Sequence, residues 1–148
     1  MAGHDLALTS PDVADGERIA DDFAGQHGAR TPRMDVTGVP AAAVELALVC
    51  HDPDAPLPHG FTHWTLYGIP PEDGAIDATD GRPGPNDDGG VGYVGPFPPH
   101  GHGEHRYYFW VYALSRRVEG EPARGAFLDQ YADAVVAQAR LVATYSRQ

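Results

Sequence analysis

Glycine and proline are the residues that most restrict what this chain can fold into. The 148 residues include 18 Gly and 14 Pro, more than a fifth of the chain, and no low-complexity run gathers them in one place. Glycine weakens helices and proline breaks them, so little of the chain is available for helix. The pattern favours many short strands joined by defined turns, in one domain that spans residues 1–148.

The remaining composition is that of a folded protein with an acidic surface. Hydrophobic residues make up 42% of the chain, and a domain of this length buries roughly 70% of its unfolded surface. There are 21 Asp and Glu residues against 10 basic residues, which gives a formal net charge of -11. A general basic field for DNA, RNA or an anionic bilayer is therefore excluded, and we expect no nucleic-acid partner.

The sequence predicts a soluble cytoplasmic protein. No stretch approaches the roughly 20 apolar residues that a membrane span requires, so we expect no membrane span. The first ten residues lack the basic flank and apolar centre of a signal peptide. The single cysteine, Cys50, excludes an internal disulfide framework.

Three apolar runs of strand length predict the centre of a sheet. Residues 44–51 are almost continuously apolar, which is typical of a central strand covered on both faces. Residues 63–69 are predicted to lie beside this strand, and residues 106–114 form a third, aromatic-rich strand. Residues 6–8 predict a short first strand, whereas residues 73–99 hold too many glycines and prolines for anything except an ordered, irregular loop.

Two further segments complete the prediction of secondary structure. Residues 17–40 show no regular pattern and are predicted to be irregular. Residues 126–145 place apolar side chains at helical spacing, namely Phe127, Tyr131, Val135, Ala139 and Val142. We therefore expect one helix near the end of the chain, packed on the sheet.

Polar residues interrupt the apolar strands at three points: Asp52 to Asp54, His63, and the region from Gly92 to Tyr107. Because side chains alternate along a strand, His105 and Tyr107 are expected on one face, where they can share a pocket wall. Gly95 has no side chain, so the loop before them could approach a ligand closely with its backbone amides.

The same segments carry a resemblance to a known family. DPDAP from Asp52, HW followed by LYGIP from His63, and GYVGPFPPHGHGEHRY from Gly92 resemble the paired signatures of the phosphatidylethanolamine-binding protein (PEBP) family, in particular its small prokaryotic, Raf-kinase-inhibitor-like branch. The resemblance implies an antiparallel β-sandwich with a C-terminal α-helix and a small anion-binding cavity. It places the following residues at that cavity: Asp52, Asp54, His63, Gly95, His105 and Tyr107.

The chemistry of these residues suits a phosphate-type headgroup. His63, His105 and the phenol of Tyr107 are compact donors for phosphate oxygens. A carboxylate beside a phosphate would repel it, so Asp52 is better placed to orient an imidazole or to accept from an amine or hydroxyl of the ligand. A cavity with both signs of charge suits an anionic or zwitterionic ligand. Asp54 could equally cap a turn, because Asp side chains bond to nearby backbone amides. We expect a non-catalytic binding protein without a metal or cofactor.

Other functions remain open on the sequence. A metal-dependent hydrolase would use ligands from the set His51, Asp52, His59, His63 and His105, although these lack the tight spacing of a local metal motif. A thiol enzyme would use Cys50, which instead alternates with Leu46 and Leu48 as a buried residue would. The family resemblance also allows a kinase- or protease-inhibitory interaction protein, and a homodimer is a further expectation.

Overall fold

Eight strands and one α-helix form in the described part of the chain, which comprises residues 5–25, 28–76 and 79–147 of a computed structural model. The strands are β1 (Ala7–Thr9), β2 (Met34–Thr37), β3 (Glu45–Asp52), β4 (Phe61–Ile69), β5 (Gly74–Ile76), β6 (Arg82–Pro83), β7 (His105–Leu114) and β8 (Val135–Tyr145). The helix α1 is Arg124–Tyr131, and 3-10 turns lie at Asp21–Phe23 and Ala132–Ala134.

The strands form two antiparallel sheets. A small sheet has the order β1-β2-β5, and a large sheet has the order β6-β4-β3-β7-β8. Strand β3 is central, and all eight of its residues are buried because both faces of the sheet are covered there. The predictions of a central strand and of a second strand beside it are confirmed, and the third strong strand, β7, pairs with the other edge of β3.

The main hydrophobic core lies between the two sheets. Side chains from the inner face of the large sheet, such as Leu48 and Phe109, belong to one buried cluster with Leu8, Val36 and Ile76 of the small sheet. This packing of two antiparallel sheets is a β-sandwich. Cys50 lies in the same core, as its alternation with the leucines of β3 predicted.

A second core covers the outer face of the large sheet. Phe127 and Tyr131 of α1 belong to one buried cluster with Tyr67 of β4 and Tyr112 of β7. The ring of Phe127 lies 5.3 Å from that of Tyr67 and 5.4 Å from that of Tyr112. The helix therefore packs on the sheet as expected. None of the helical segments in the described residues has the length and apolarity to cross a lipid bilayer.

The fold class is confirmed, but the predicted extent of the helix is wrong. The helix occupies only Arg124–Tyr131, and the second half of the predicted helical segment is strand β8. Strand β8 pairs with β7 along its length, from Val135 opposite Leu114 to Tyr145 opposite His105. It therefore supplies a long partner for the otherwise open edge of β7.

The error has a simple geometric cause. Phe127, Tyr131, Val135 and Ala139 recur every four residues, a spacing that keeps side chains on one face in a helix and also in a strand. Only Val142, three residues after Ala139, distinguishes a helix from a strand in this pattern. It lies on the opposite face of β8 from Ala139, as period-two alternation requires.

The weaker segments are partly as predicted. The short first strand is confirmed as β1, although its bounds are Ala7–Thr9. The stretch 17–40 contains strand β2, which the sequence did not indicate, and the stretch 73–99 contains the short strands β5 and β6. The other described residues of that second stretch lie outside these strands, and those from Asp88 to Pro99 contribute one wall of the site described next.

Candidate functional site

A cavity of about 240 Å³ opens at one end of the large sheet. It lies on the inner face, where the end of β3 and the start of β7 meet the loop before β7. Its polar lining consists of Asp52, His63, Asp88, His105 and Tyr107, and its apolar lining includes Leu57, Phe61, Val94, Phe97 and Pro98. Five of the six predicted site residues line this cavity; Asp54 does not.

The antiparallel pairing of β3 with β7 explains why these residues meet. Asp52 is the last residue of β3, His105 is the first residue of β7, and His51 lies opposite Tyr108 in the register. His105 and Tyr107 are buried, whereas Arg106 between them is exposed. The predicted sharing of one face by His105 and Tyr107 is therefore observed.

His105 is held by a buried carboxylate. Its Nδ1 lies 2.7 Å from Oδ2 of Asp52, and the two side chains are only 4% and 3% exposed. A carboxylate only accepts, so the proton of this bond is on Nδ1 of the histidine. The other carboxylate oxygen, Oδ1, accepts the backbone N–H of Asp54 at 2.7 Å. Asp52 therefore orients the imidazole from a fixed position.

The second nitrogen of His105 is engaged by another histidine. Nε2 of His105 lies 2.6 Å from Nδ1 of His102, an exposed residue in the turn before β7. One of the two nitrogens carries the proton that they share. His102 thus occupies the position at which a ligand would otherwise contact Nε2 of His105.

His63 presents one nitrogen to a ligand in a defined state. Its Nδ1 donates to the carbonyl oxygen of Val94 at 2.8 Å, so the remaining nitrogen, Nε2, accepts when the ring is neutral and donates only when the ring is protonated. Burial lowers the pKa of His63, although the carbonyl of Val94 and nearby carboxylates oppose this effect. Burial therefore favours the neutral ring.

Tyr107 completes the polar wall. Its ring meets the ring of His63 edge-on, with centroids 5.2 Å apart. Burial, and to a smaller extent the charge of Asp52, raise the pKa of the Tyr107 phenol. The hydroxyl therefore stays protonated at neutral pH and can donate to an anion.

Asp54 belongs to a surface ion pair. Its Oδ2 accepts the backbone N–H of Arg106 at 2.8 Å and the guanidinium Nε at 3.0 Å, and its Oδ1 accepts from Nη2 at 2.8 Å. These bonds from Arg106 lower the pKa of Asp54 to about 2. Its position ties the segment after β3 to the start of β7 instead of facing the cavity.

Gly95 lines the cavity, but backbone packing explains its lack of a side chain. A Cβ atom at this position would lie 2.5 Å from the carbonyl oxygen of Phe23 and 2.8 Å from the carbonyl carbon of Ala24. The loop that forms the cavity wall therefore rests directly on the chain at residues 23 and 24.

Two features of the site had no local signal in the sequence. The guanidinium carbon of Arg147 lies 3.9 Å from the ring centroid of Phe97, a lining residue, and its Nη1 is 3.0 Å from Nε2 of His100. A permanent cation thus borders the cavity. The second feature is the apolar wall, of which only Phe61 could have been inferred, because it lies two residues before His63 on the same strand face.

The groups required by the enzymatic alternatives are arranged unfavourably. Cys50 is buried, and burial together with the nearby charge of Asp52 raises the pKa of its thiol well above the ordinary value. A buried, protonated thiol is a poor nucleophile. Within residues 5–25, 28–76 and 79–147, no group of three or more His, Cys, Asp or Glu side chains is arranged to hold a metal ion.

Comparison with known proteins identifies relatives of this chain. The sequence profile of the family described as "Phosphatidylethanolamine-binding protein" matches residues 9–146. A UPF0098 protein of Methanothermobacter thermautotrophicus is 38% identical over 146 residues, which cover 91% of this chain and 87% of that protein. The crystal structure of Escherichia coli YbcL, described as a new member of the mammalian PEBP family, superimposes with a TM-score of 0.86 at 26% identity and covers 97% of this chain and 99% of that one.

This chain belongs to the phosphatidylethanolamine-binding protein family. Its similarity to archaeal and bacterial members places it with the prokaryotic proteins of that family. The family consists of binding proteins with regulatory and inhibitory roles, and the resemblance inferred from the sequence is therefore confirmed.

Proposed function

We propose that this chain is a non-catalytic binding protein whose cavity takes a small anionic or zwitterionic ligand, such as a phosphate-type or phospholipid headgroup. One observation carries the proposal: His63 and His105 line the same cavity with Tyr107, while Asp52 fixes the orientation of His105. This is a set of hydrogen-bonding groups prepared for a compact polar ligand in a largely apolar pocket.

The state of His63 defines how an anion would bind. A dianion would favour the protonated ring, whose Nε2–H donates to a ligand oxygen. A monoanion that carries its own O–H could instead donate to the neutral ring. The hydroxyl of Tyr107 supplies a second donor, and the guanidinium of Arg147 adds positive charge at the border of the cavity.

The carboxylates in the lining favour a ligand that also carries a cation. Both oxygens of Asp52 already accept hydrogen bonds from the protein. Asp88 also lines the cavity, and a carboxylate in that position suits an ammonium group. Phosphoethanolamine, which combines a phosphate with an ammonium group, is therefore a suitable probe.

The apolar part of the lining strengthens the hydrogen bonds that the cavity can make to a ligand. Phe61, Leu57 and Phe97 border the polar groups and reduce their contact with water. Hydrogen bonds to an anion are stronger in such an environment than in bulk water. Binding of this kind needs neither a metal ion nor a cofactor.

The cellular location and the oligomeric state of this chain remain predictions. One relative, a Mycobacterium tuberculosis protein whose name describes it as the lipoprotein LppC, is 38% identical over 150 residues, which cover 97% of this chain and 74% of that protein. We retain the cytoplasmic location and the homodimer as hypotheses for this chain.

Titration calorimetry with phosphoethanolamine tests the proposed function. We expect binding to the wild-type protein and a loss of about tenfold or more for His63→Ala, because a hydrogen bond to a charged group is worth about 1.5–3 kcal/mol. His59→Ala is the matched control, since His59 is exposed and does not line the cavity. Equal affinity in wild type and His63→Ala would contradict the proposal.

A further inference from the structure

A second cleft lies on the outer face of the large sheet, on the other side from the cavity. It has a volume of about 320 Å³, and its lining includes Arg106, Tyr108 and Trp110 of β7 together with His51 of β3 and Arg124 at the start of α1. These β7 residues alternate with the residues that face the core. The cleft is therefore separate from the candidate anion site.

Arg124 lines the cleft and Arg140 lies beside it, over two of its lining rings, and neither arginine has a carboxylate partner in the described residues. Neither Arg124 nor Arg140 has an Asp or Glu oxygen within 4.0 Å, whereas six other arginines of the chain form ion pairs. Carboxylates outnumber arginines two to one in this protein. Because no carboxylate of the described residues neutralises these two arginines, their charge is available to a ligand.

The guanidinium of Arg140 lies over the two aromatic rings that line the cleft. The guanidinium carbon of Arg140, on β8, lies 5.4 Å from the ring centroid of Tyr108 and 5.5 Å from that of Trp110. Both rings are only half-buried. A guanidinium stacked over an aromatic ring is held in place without losing its hydrogen-bonding edge.

The rim of the cleft is fixed by the ion pair described above. Arg106 donates to Asp54 through Nε and Nη2, and its Nη1 is 3.3 Å from the hydroxyl of Tyr108. The charge of Arg106 is thus neutralised by Asp54, and its side chain forms part of the wall of the cleft. On the opposite side, Arg124 lies close enough to His51 that its charge contributes to lowering the pKa of that histidine, after the larger effect of burial.

We propose that this cleft is a docking site for an acidic peptide segment of a partner protein. Carboxylates of the segment would pair with Arg124 and Arg140, and an apolar side chain between them would cover Trp110. Arg, Trp and Tyr are the residues that contribute most often to the energy of protein interfaces. Charge complementarity selects an acidic partner, because Arg124 in the cleft and Arg140 beside it have no carboxylate partner in the described residues, on a chain of net charge -11.

A synthetic peptide of alternating Glu and Leu residues, labelled with fluorescein, is the probe. Fluorescence anisotropy should show binding to the wild-type protein that weakens as salt is raised, and no binding of the same peptide with Gln in place of Glu. Arg124→Gln and Arg140→Gln should each reduce the affinity by about threefold to tenfold. Arg117→Gln is the matched control, since Arg117 is exposed, has no ion pair in the described residues and does not line the cleft.

The outcomes separate this proposal from its alternatives. Equal peptide affinity in wild type, Arg124→Gln and Arg140→Gln would overturn it, and so would an equal loss in Arg117→Gln, which would indicate nonspecific attraction. Displacement of the peptide by inorganic phosphate at equimolar concentration would identify a small-anion site instead. Self-association of the peptide-free protein that Arg124→Gln abolishes would assign the face to a second copy of this chain.

Discussion

Nε2 of His105 lies 2.6 Å from Nδ1 of His102, so the histidine that Asp52 orients is also engaged by a neighbouring side chain. His102 is exposed, whereas His105 is buried. The contact therefore joins a buried site residue to a group that can move into solvent. A ligand that uses Nε2 of His105 must displace this group.

Removal of His102 should consequently strengthen binding. In His102→Ala, Nε2 of His105 has no internal partner, and a ligand no longer competes for it. We expect phosphoethanolamine to bind about twofold to tenfold more tightly, which corresponds to part of one hydrogen bond. Calorimetry would measure this gain, with His59→Ala unchanged; a weaker complex would instead mean that His102 contacts the ligand directly.

Anion binding should strengthen as the pH falls from about 8 toward about 5.5. Burial lowers the pKa of His63 and so favours the neutral ring, whereas a bound anion would stabilise the protonated ring, so binding should take up protons. Each proton taken up contributes at most about tenfold in affinity per pH unit between the free and bound pKa values. The ligand limits the range, because a phosphate monoester gains a proton near pH 6.

Proton uptake can be measured separately from affinity. Calorimetric titrations in buffers of different ionisation enthalpy give the number of protons bound per ligand. We expect uptake in the wild-type protein and a smaller value in His63→Ala. Binding without any pH dependence or uptake would exclude His63 as the titrating group.

The folded protein itself should lose stability on acidification between about pH 6.5 and pH 4. Burial, assisted by the charge of Arg124, lowers the pKa of His51 to about 4. The unfolded chain binds a proton on this residue at its ordinary pKa of about 6.5, whereas the folded chain does not. The stabilising effect is therefore present above pH 6.5 and is lost as the pH falls, by at most about 1.4 kcal/mol per pH unit.

This pH window distinguishes His51 from the carboxylates. The ion pair with Arg106 lowers the pKa of Asp54 to about 2, so its contribution is lost only below about pH 4. Denaturant unfolding at several pH values should show a shallower decline for His51→Gln between pH 6.5 and pH 4, and the wild-type decline for His59→Gln. An unchanged slope in His51→Gln would contradict the assignment.

Gly95→Ala should destabilise the fold. The added Cβ would lie within 3 Å of backbone atoms of Phe23 and Ala24, which cannot move as a flexible side chain would. Overpacking of this kind typically costs about 1–3 kcal/mol. Gly90→Ala is the control in the same loop region, because the nearest atoms, on Asn86, are 4.0 Å away; equal stability of the two variants would show that the loop shifts freely.

The sequence predicted the centre of the fold because apolar runs report burial directly. Residues 44–51 could be recognised as a central strand since the run is almost continuously apolar, and β3 is buried throughout. The sequence of strand β8 could not be distinguished from that of a helix, since its apolar side chains continue the four-residue spacing of α1. The decisive information is its pairing with β7, which is a tertiary contact.

The same distinction applies to the candidate site. His105 and Tyr107 could be assigned to one face because alternation is a local rule. The partner of Asp54 is Arg106, and the cation beside Phe97 is Arg147, contacts between residues about 50 positions apart. No local pattern predicts such pairs, so their roles emerged only from the structure.

The most direct test of the anion site is a crystal structure of the protein with phosphoethanolamine, compared with that of His63→Ala grown under the same conditions. We predict a phosphate group in the cavity, within hydrogen-bonding distance of Nε2 of His63 and of the Tyr107 hydroxyl, that is absent from the variant. A ligand bound outside the cavity, or one that occupies it unchanged in His63→Ala, would contradict the central claim.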